Sequence, residues 1–319
     1  MRYLFRVIIV IKFLLVFILA ALCSHSFAAP DSQLLRQLDI KRGLFADSYQ
    51  SFDINDQAII YVLQENTTAI TRGFAVMVAD SGIPILSQEG FAALATELNK
   101  IGWVTILLPA PDAGFNPIND EVEEVEEVEE TAATEDAATS DETEINTSGG
   151  TPVTNPIELI TELDISKSAA TIINTQAFIK HEQQLTSLLQ AAIEKSQEYP
   201  GFFMVISQGT SAAWLSKIYA EKTLDAPDAF VVISPYWPDR KHNRHLPEWI
   251  ANTPMPVLDL YSGRDNGWAR ETVARREIAA IKSLKLQYRQ RKLLGFNMPQ
   301  QHSAYLSKEI YGWISHMGW

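Results

Sequence analysis

The chain has 319 residues, 46% of them hydrophobic, and a formal net charge of −13; that is enough apolar material for a well-filled core in one large domain or two small ones, and nothing in it forces two. Its acidity is local: residues 120–144 hold thirteen acids and no base, and without that tract and the three bases near the N-terminus the remainder carries about −3. A nucleic-acid partner is therefore not expected, since a phosphate backbone selects for clustered Lys and Arg.

In chain order, Arg2, Arg6 and Lys12 precede the apolar run Phe13 to Leu22, and Ser26-Phe27-Ala28 closes it. This is the anatomy of a secretory signal, with residues 1–28 removed after Ala28. The alternative is a retained N-terminal membrane anchor, because the stretch from Val7 to Leu22 is broken only by Lys12. Cys23 is the single cysteine and falls inside this segment, so the mature chain 29–319 is expected to carry no disulfide and no cysteine metal site. A lipid anchor on Cys23 is disfavoured by Leu22, which stands where such signals want a small residue.

Gln57 to Leu63 and Gly73 to Ala79 read as strands, the second a nearly continuous apolar run suited to burial on both faces. Asp80-Ser81-Gly82 breaks that run. Phe91, Leu94, Leu98 and Ile101 hold one face of a helix from about Gln88, and Trp103 to Leu108 is the next strand, ending at Pro109. Residues 113–156 form an acidic, low-complexity insertion too charged to pack, so disorder is expected there. Val122, Val125 and Val128 could form one helical stripe, but like charges three and four residues apart oppose it.

Beyond the insertion, Leu185, Leu188, Leu189, Ala192 and Ile193 mark a helix that stops at Pro200-Gly201. Phe202 to Ile206 is a strand that runs through Ser207-Gln208-Gly209-Thr210-Ser211 straight into a helix holding Trp214 and Ile218. Ala229 to Ile233 and Val257 to Tyr261 are two further buried strands joined by a loop rich in Pro, Trp and His. A helix from about Trp268 to Ile281 follows, then an edge strand from Lys285 to Leu293 and a closing helix marked by Leu306, Ile310, Trp313, Ile314 and Met317. The alternation predicts an α/β domain built on a doubly wound, mostly parallel sheet.

The segments GFAVMVADSG (73–82), GWVTILLP (102–109), MVISQGTSAAW (204–214), LPEW (246–249) and PMPVLDLYSGRDNGWA (254–269) resemble the α/β-hydrolase superfamily. Within it they resemble an exported bacterial family known as domain of unknown function 3530. That resemblance implies the hydrolase fold, a periplasmic or secreted location, and no defined activity.

The hydrolase pattern places a nucleophile at the centre of G-x-S-x-G, on a tight turn between strand and helix. Here the five residues are Ser207 to Ser211 and the centre is Gly209, which has no side chain to attack with. A rival register makes Ser207 the nucleophile but sets Val205 where a small residue is needed; Ser211 and Thr210 are weaker candidates. The resemblance further implies Asp265 as the acid and His302 as the base, since an imidazole held by a carboxylate is what general-base chemistry needs. Both could equally cap helices.

Ser81, Gly82 and Thr210 occupy the places from which this fold supplies oxyanion-binding amides, although Asp80 adds a carboxylate beside them. Tyr236, Trp237 and Trp268 lie just past strand ends and are candidates to line a pocket, with core packing as the alternative. His242 and His245, with Asp239, are too few to complete a metal site, and neither a metal nor a cofactor is expected. The two readings that follow are a hydrolase-like protein without its nucleophile that binds a small molecule or an envelope protein, and an ester or acyl hydrolase using His302, Asp265 and an unusual Ser207.

Overall fold

The computed structural model describes residues 32–111, 175–293 and 299–318, apart from 56 and 88. The expected signal segment with Cys23 and the acidic insertion lie outside the described residues. The elements are α1 (Ser32–Gly43), β1 (Gln50–Ile54), β2 (Gln57–Gln64), β3 (Gly73–Val78), α2 (Ala92–Asn99), β4 (Trp103–Leu108), α3 (Thr175–Ser196), β5 (Phe202–Gln208), α4 (Gly209–Ala220), β6 (Ala229–Ile233), α5 (Arg240–Asn252), β7 (Val257–Ser262), α6 (Gly267–Lys282), β8 (Tyr288–Leu293) and α7 (Pro299–His316).

The strands form one eight-stranded sheet in the order β1-β2-β4-β3-β5-β6-β7-β8. β1 pairs antiparallel with β2 and β2 antiparallel with β4, while every pair from β4 to β8 is parallel. The fold is thus the expected mostly parallel α/β sheet with helices on both faces. β3, β4 and β6 are buried along their whole length, which is why their sequences are continuous apolar runs without alternation.

Successive side chains of β3 and β5 point to opposite faces. Phe74, Val76, Val78 and Val205 pack on one side with Leu185 and Leu189 of α3, Trp214 and Ile218 of α4, and Leu246 and Ile250 of α5. Ala75, Met77, Met204 and Ile206 pack on the other with Leu94 and Leu98 of α2 and Ile310 and Trp313 of α7. No helix among the described residues is long and apolar enough to cross a membrane.

Several elements differ from the sequence expectation, among them α1, which is not expected from the sequence, and β8, which begins at Tyr288 and not Lys285. β1 is short and half exposed, so its sequence QSFDI carries little apolar signal. The helix expected from Gln88 begins only at Ala92. The segment expected as a loop between β6 and β7 contains α5: Asp239 caps it by accepting from the His242 amide at 2.8 Å, and the helix continues through Pro247. Interior proline and several aromatic and histidine side chains make that helix hard to read from propensity.

The sheet order sets β4 on one side of β3 and β5 on the other, so the connections leave in opposite directions and a crevice opens between the C-terminal ends of β3 and β5. Asp80 follows β3 and Gly209 follows β5 at that point. Further along, Asp259 in β7 and Arg276 in α6, both fully buried, form an ion pair with Nε at 2.7 Å and Nη2 at 3.1 Å from the carboxylate. Tyr288 and Gln290 of β8 also donate to Asp259, and Arg276 Nη1 donates to Thr272 Oγ1 and the Ala269 carbonyl. Such a pair is tolerated in the core because its polar atoms are met on every side. It fastens α6, and with it the loop bearing Asp265, to the sheet.

Asp259→Ala leaves the Arg276 charge buried without its partner and is expected to lower unfolding free energy by about 3–5 kcal/mol in urea denaturation. Asp259→Leu combined with Arg276→Met should recover most of that loss; a double variant as unstable as Asp259→Ala would contradict this account of the pair.

Candidate functional site

The strand β5 extends through Ser207 and Gln208 before the chain turns. Gln208 is still extended (φ −126°, ψ 149°) and α4 starts at the next residue. The turn is completed by Gly209 with φ +60°, a left-handed conformation that costs an L side chain about 1–2 kcal/mol. Gly209 is therefore the apex of the strand-to-helix turn.

The space above that apex is filled from β3. A Cβ on Gly209 would overlap the carboxylate of Asp80. Asp80 Oδ1 accepts from the Ser81 amide at 2.8 Å, the Thr210 amide at 2.7 Å and the Thr210 hydroxyl at 2.5 Å, and Oδ2 accepts from the Tyr236 hydroxyl at 3.1 Å. Ser81 and Thr210 are two of the three residues, with Gly82, whose amides the sequence pattern offers to an oxyanion. Here a resident carboxylate occupies them.

Burial pushes the Asp80 carboxyl above the usual carboxylate range, against the Thr210, Tyr236 and Ser81 donors, which favour the ionised form. Burial and the adjoining Asp80 carboxylate also push the Tyr236 phenol upward, so it stays a neutral donor. Tyr236 is fixed from behind by its own amide, which donates to the Gly209 carbonyl at 3.3 Å.

Across the crevice, Asp265 Oδ2 accepts from Ser234 Oγ and from the Ser262 amide, both at 2.7 Å. Ser234 holds φ +48°, an uncommon conformation for a residue with a side chain, and strain of this kind concentrates at functional sites. Asp80, Gln208, Gly209, Ser234, Tyr236 and Asp265 line a cleft of about 240 Å³, with Ile83, Glu89, Arg264 and Asn266 completing its wall.

The other residues singled out by sequence are distributed as follows. Ser207 is fully buried inside β5, flanked by Val78 and Val232, and its hydroxyl has no hydrogen-bond partner among the described residues. Ser211 is likewise fully buried in α4 with an unpartnered hydroxyl. Gly82 takes φ +85° in the turn after β3. Trp237 is fully buried, packed against Trp214 and Phe178 rather than on the cleft. Trp268 is partly buried, and its carbonyl accepts from Asn243.

His302 sits in the first turn of α7, partly buried and outside the cleft lining. Among the described residues no hydrogen bond joins it to Asp265, Ser207 or Ser211. His242 and His245 stand on α5, His242 with Nδ1 2.6 Å from Asp239 Oδ2 and His245 3.5 Å from Glu248. No group of three or more His, Cys, Asp or Glu among the described residues could hold a metal ion. Sequence reasoning did not single out Gln208, Ser234, Glu89, Ile83 or Asn266. Gln208 and Ser234 end buried strands at the same edge as Asp80, which is the one signal that could have found them.

Residues 20–316 match the family described as protein of unknown function (DUF3530). The chain belongs to that family. No curated protein matches this DUF3530 chain. Among solved structures it is similar to Est1E from Butyrivibrio proteoclasticus, at 8% identity and a TM-score of 0.50 over 84% of this chain and 98% of that one. It is also similar to a dienelactone hydrolase from Anabaena variabilis, at 12% identity, TM-score 0.48, 84% and 98% coverage. The esterase domain of a Rhodothermus marinus protein matches at 11% identity, TM-score 0.48, 83% and 95% coverage. At 8% identity the likeness to Est1E concerns the fold alone, which the DUF3530 chain shares as a mostly parallel α/β sheet of the hydrolase type.

Gly209→Ala is expected to destabilise by about 2–5 kcal/mol, combining the backbone cost with overlap on Asp80. In an Asp80→Gly background the same change should cost only the backbone share of about 1–2 kcal/mol; equal costs in the two backgrounds would mean that Asp80 does not occupy the apex. A second expectation concerns pH. Because the folded state holds the Asp80 proton more tightly than the unfolded state, the stability from this group is present at low pH and lost as pH rises through its elevated folded value. Wild type should therefore lose stability relative to Asp80→Asn as pH rises above the ordinary carboxylate range, by at most about 1.4 kcal/mol per pH unit. Thermal melts of the two proteins across pH 3–8 measure it, and a relative gain for wild type would contradict the sign.

Proposed function

We propose that this chain is an exported α/β-hydrolase-fold protein that lacks a serine nucleophile and acts by binding, taking a small molecule in the cleft or engaging an envelope protein there. One observation carries the reading. Asp80 Oδ1 accepts the Ser81 and Thr210 amides while its carboxylate covers Gly209. Acyl transfer needs those amides free for the charge that develops on a carbonyl oxygen, and loss of even one such donor costs about 10²–10³ in rate. An anion already seated there competes with the transition state for both donors. A glycine apex adds the absence of an attacking atom.

The hydrolase alternative, with Asp265, His302 and Ser207, would need the Ser207 hydroxyl to meet a base and a substrate at roughly 3 Å. Ser207 is paired between β3 and β6, and its hydroxyl is buried with no hydrogen-bond partner among the described residues. Export rests on the N-terminal segment, which has the order of charge, apolar run and small residues that a cleaved signal requires.

Incubation of the purified protein with a serine-directed fluorophosphonate, followed by intact mass, should give no adduct, and p-nitrophenyl butyrate should turn over no faster than in buffer. An adduct that disappears in Ser207→Ala would overturn the reading. Expression of the full chain in a Gram-negative host should yield a periplasmic protein beginning at Ala29; a retained residue 1 in the membrane fraction would instead support the anchor.

A further inference from the structure

Four large apolar side chains stand exposed within nine residues at one corner of the molecule. Ile278 and Ile281 of α6, then Leu284 and Leu286 of the turn into β8, are 50%, 67%, 79% and 93% exposed. Single exposed apolar side chains are ordinary, but a cluster of this kind marks a contact surface. Leu284 follows the end of α6 with φ +53°, at the position where helices ordinarily place glycine because a side chain is strained there. Its amide donates to the Ile281 carbonyl at 3.1 Å and the Lys285 amide to the Ala280 carbonyl at 3.0 Å, so a glycine-type cap carries a leucine that packs on almost nothing. Lys285 turns inward, its ammonium donating to the Thr253 and Met255 carbonyls. The leucines on either side of it are held outward on a pinned turn.

The charge around this tip has one sign. From Ile278 to Lys308 the sequence holds six bases and no acid, in a chain whose net charge is −13. Lys282 and Arg289 border the leucines, and neither pairs with a carboxylate among the described residues. The adjoining loop 252–256 carries no charged side chain. The acids of the surrounding elements stand back: Glu277 is on α6 seven residues before Leu284, and Asp225 and Asp228 precede β6, two strands across from β8. A second copy on this face would bring the same cations together, which disfavours self-association.

We infer that this corner docks on an anionic phospholipid surface, with Leu284 and Leu286 entering the interface and Lys282 and Arg289 meeting the head groups. The inference stands apart from whatever the cleft binds. Interfacial binding grows with buried apolar area and with attraction to anionic lipid, and one basic residue near such a surface strengthens it about fivefold. An outward tip suits a bilayer, whereas a protein partner needs a surface shaped to match. The turn precedes β8, and the cleft lies past the C-terminal ends of the parallel strands β3 and β5. The docked protein therefore holds its cleft roughly 20 Å, one strand length, from the lipid and facing away from it.

The test uses the full chain with an environment-sensitive nitrobenzoxadiazole label on Ser283→Cys in a Cys23→Ser background, so that the signal reports this turn whatever residues 1–28 do. Vesicles of phosphatidylcholine with one quarter phosphatidylglycerol should shift the label to the blue and raise its emission at least twofold, while the same label on Glu89→Cys, at the cleft rim, stays unchanged. Leu284→Gly with Leu286→Ser should raise the lipid concentration for half-saturation tenfold or more, in a protein that still melts cooperatively because glycine suits the backbone at 284. Lys282→Gln with Arg289→Gln should weaken binding to a similar degree. No shift on the anionic vesicles, an equal shift on phosphatidylcholine alone, or unchanged half-saturation in the leucine variant overturns the inference. A dimer in solution that the leucine variant dissociates assigns the face to a second copy and overturns it as well.

Discussion

One carboxylate decides the character of this molecule. Asp80 leaves the end of β3 and lies over Gly209, so the apex of the strand-to-helix turn must be glycine for two separate reasons: its φ of +60° and the space Asp80 already fills. The dependence is mutual. A side chain at the apex would evict Asp80 from the Ser81 and Thr210 amides, and an apex without one leaves a gap that the carboxylate closes. The two strands meet at the point where the sheet order reverses, and the crevice there is a consequence of topology before it is a consequence of any particular side chain.

The neighbouring parts support that arrangement from a distance. Tyr236 is held by the Gly209 carbonyl and reaches Asp80, so the loop after β6 is tied to both sides of the turn. Asp265 is oriented by Ser234 and Ser262, and the helix that follows is locked to β7 and β8 through the buried Asp259 and Arg276 pair. These ties give the cleft a rigid frame. Folds of this kind host many functions, and it is the cleft that distinguishes one from another.

The sheet was legible in the sequence because strands buried on both faces leave unbroken apolar runs such as Gly73 to Val78 and Trp103 to Leu108. β1 escaped because half of its surface faces solvent, and α5 because capping by Asp239, and not propensity, starts it. The glycine at the turn was readable from local spacing alone. What spacing could not give was the reach of Asp80 across 130 residues of chain to the Thr210 amide, nor the burial of Gln208, since both depend on the register of β3 against β5. His302 and Asp265 follow the expected strands in the expected order, but order along the chain does not say how their side chains are placed.

A crystal structure of the protein at neutral pH measures the position of the Asp80 carboxylate most directly. The account predicts density for the carboxylate within hydrogen-bond distance of the Ser81 and Thr210 amides, above a Gly209 of positive φ. Asp80 turned into solvent, with water on those two amides, would contradict it.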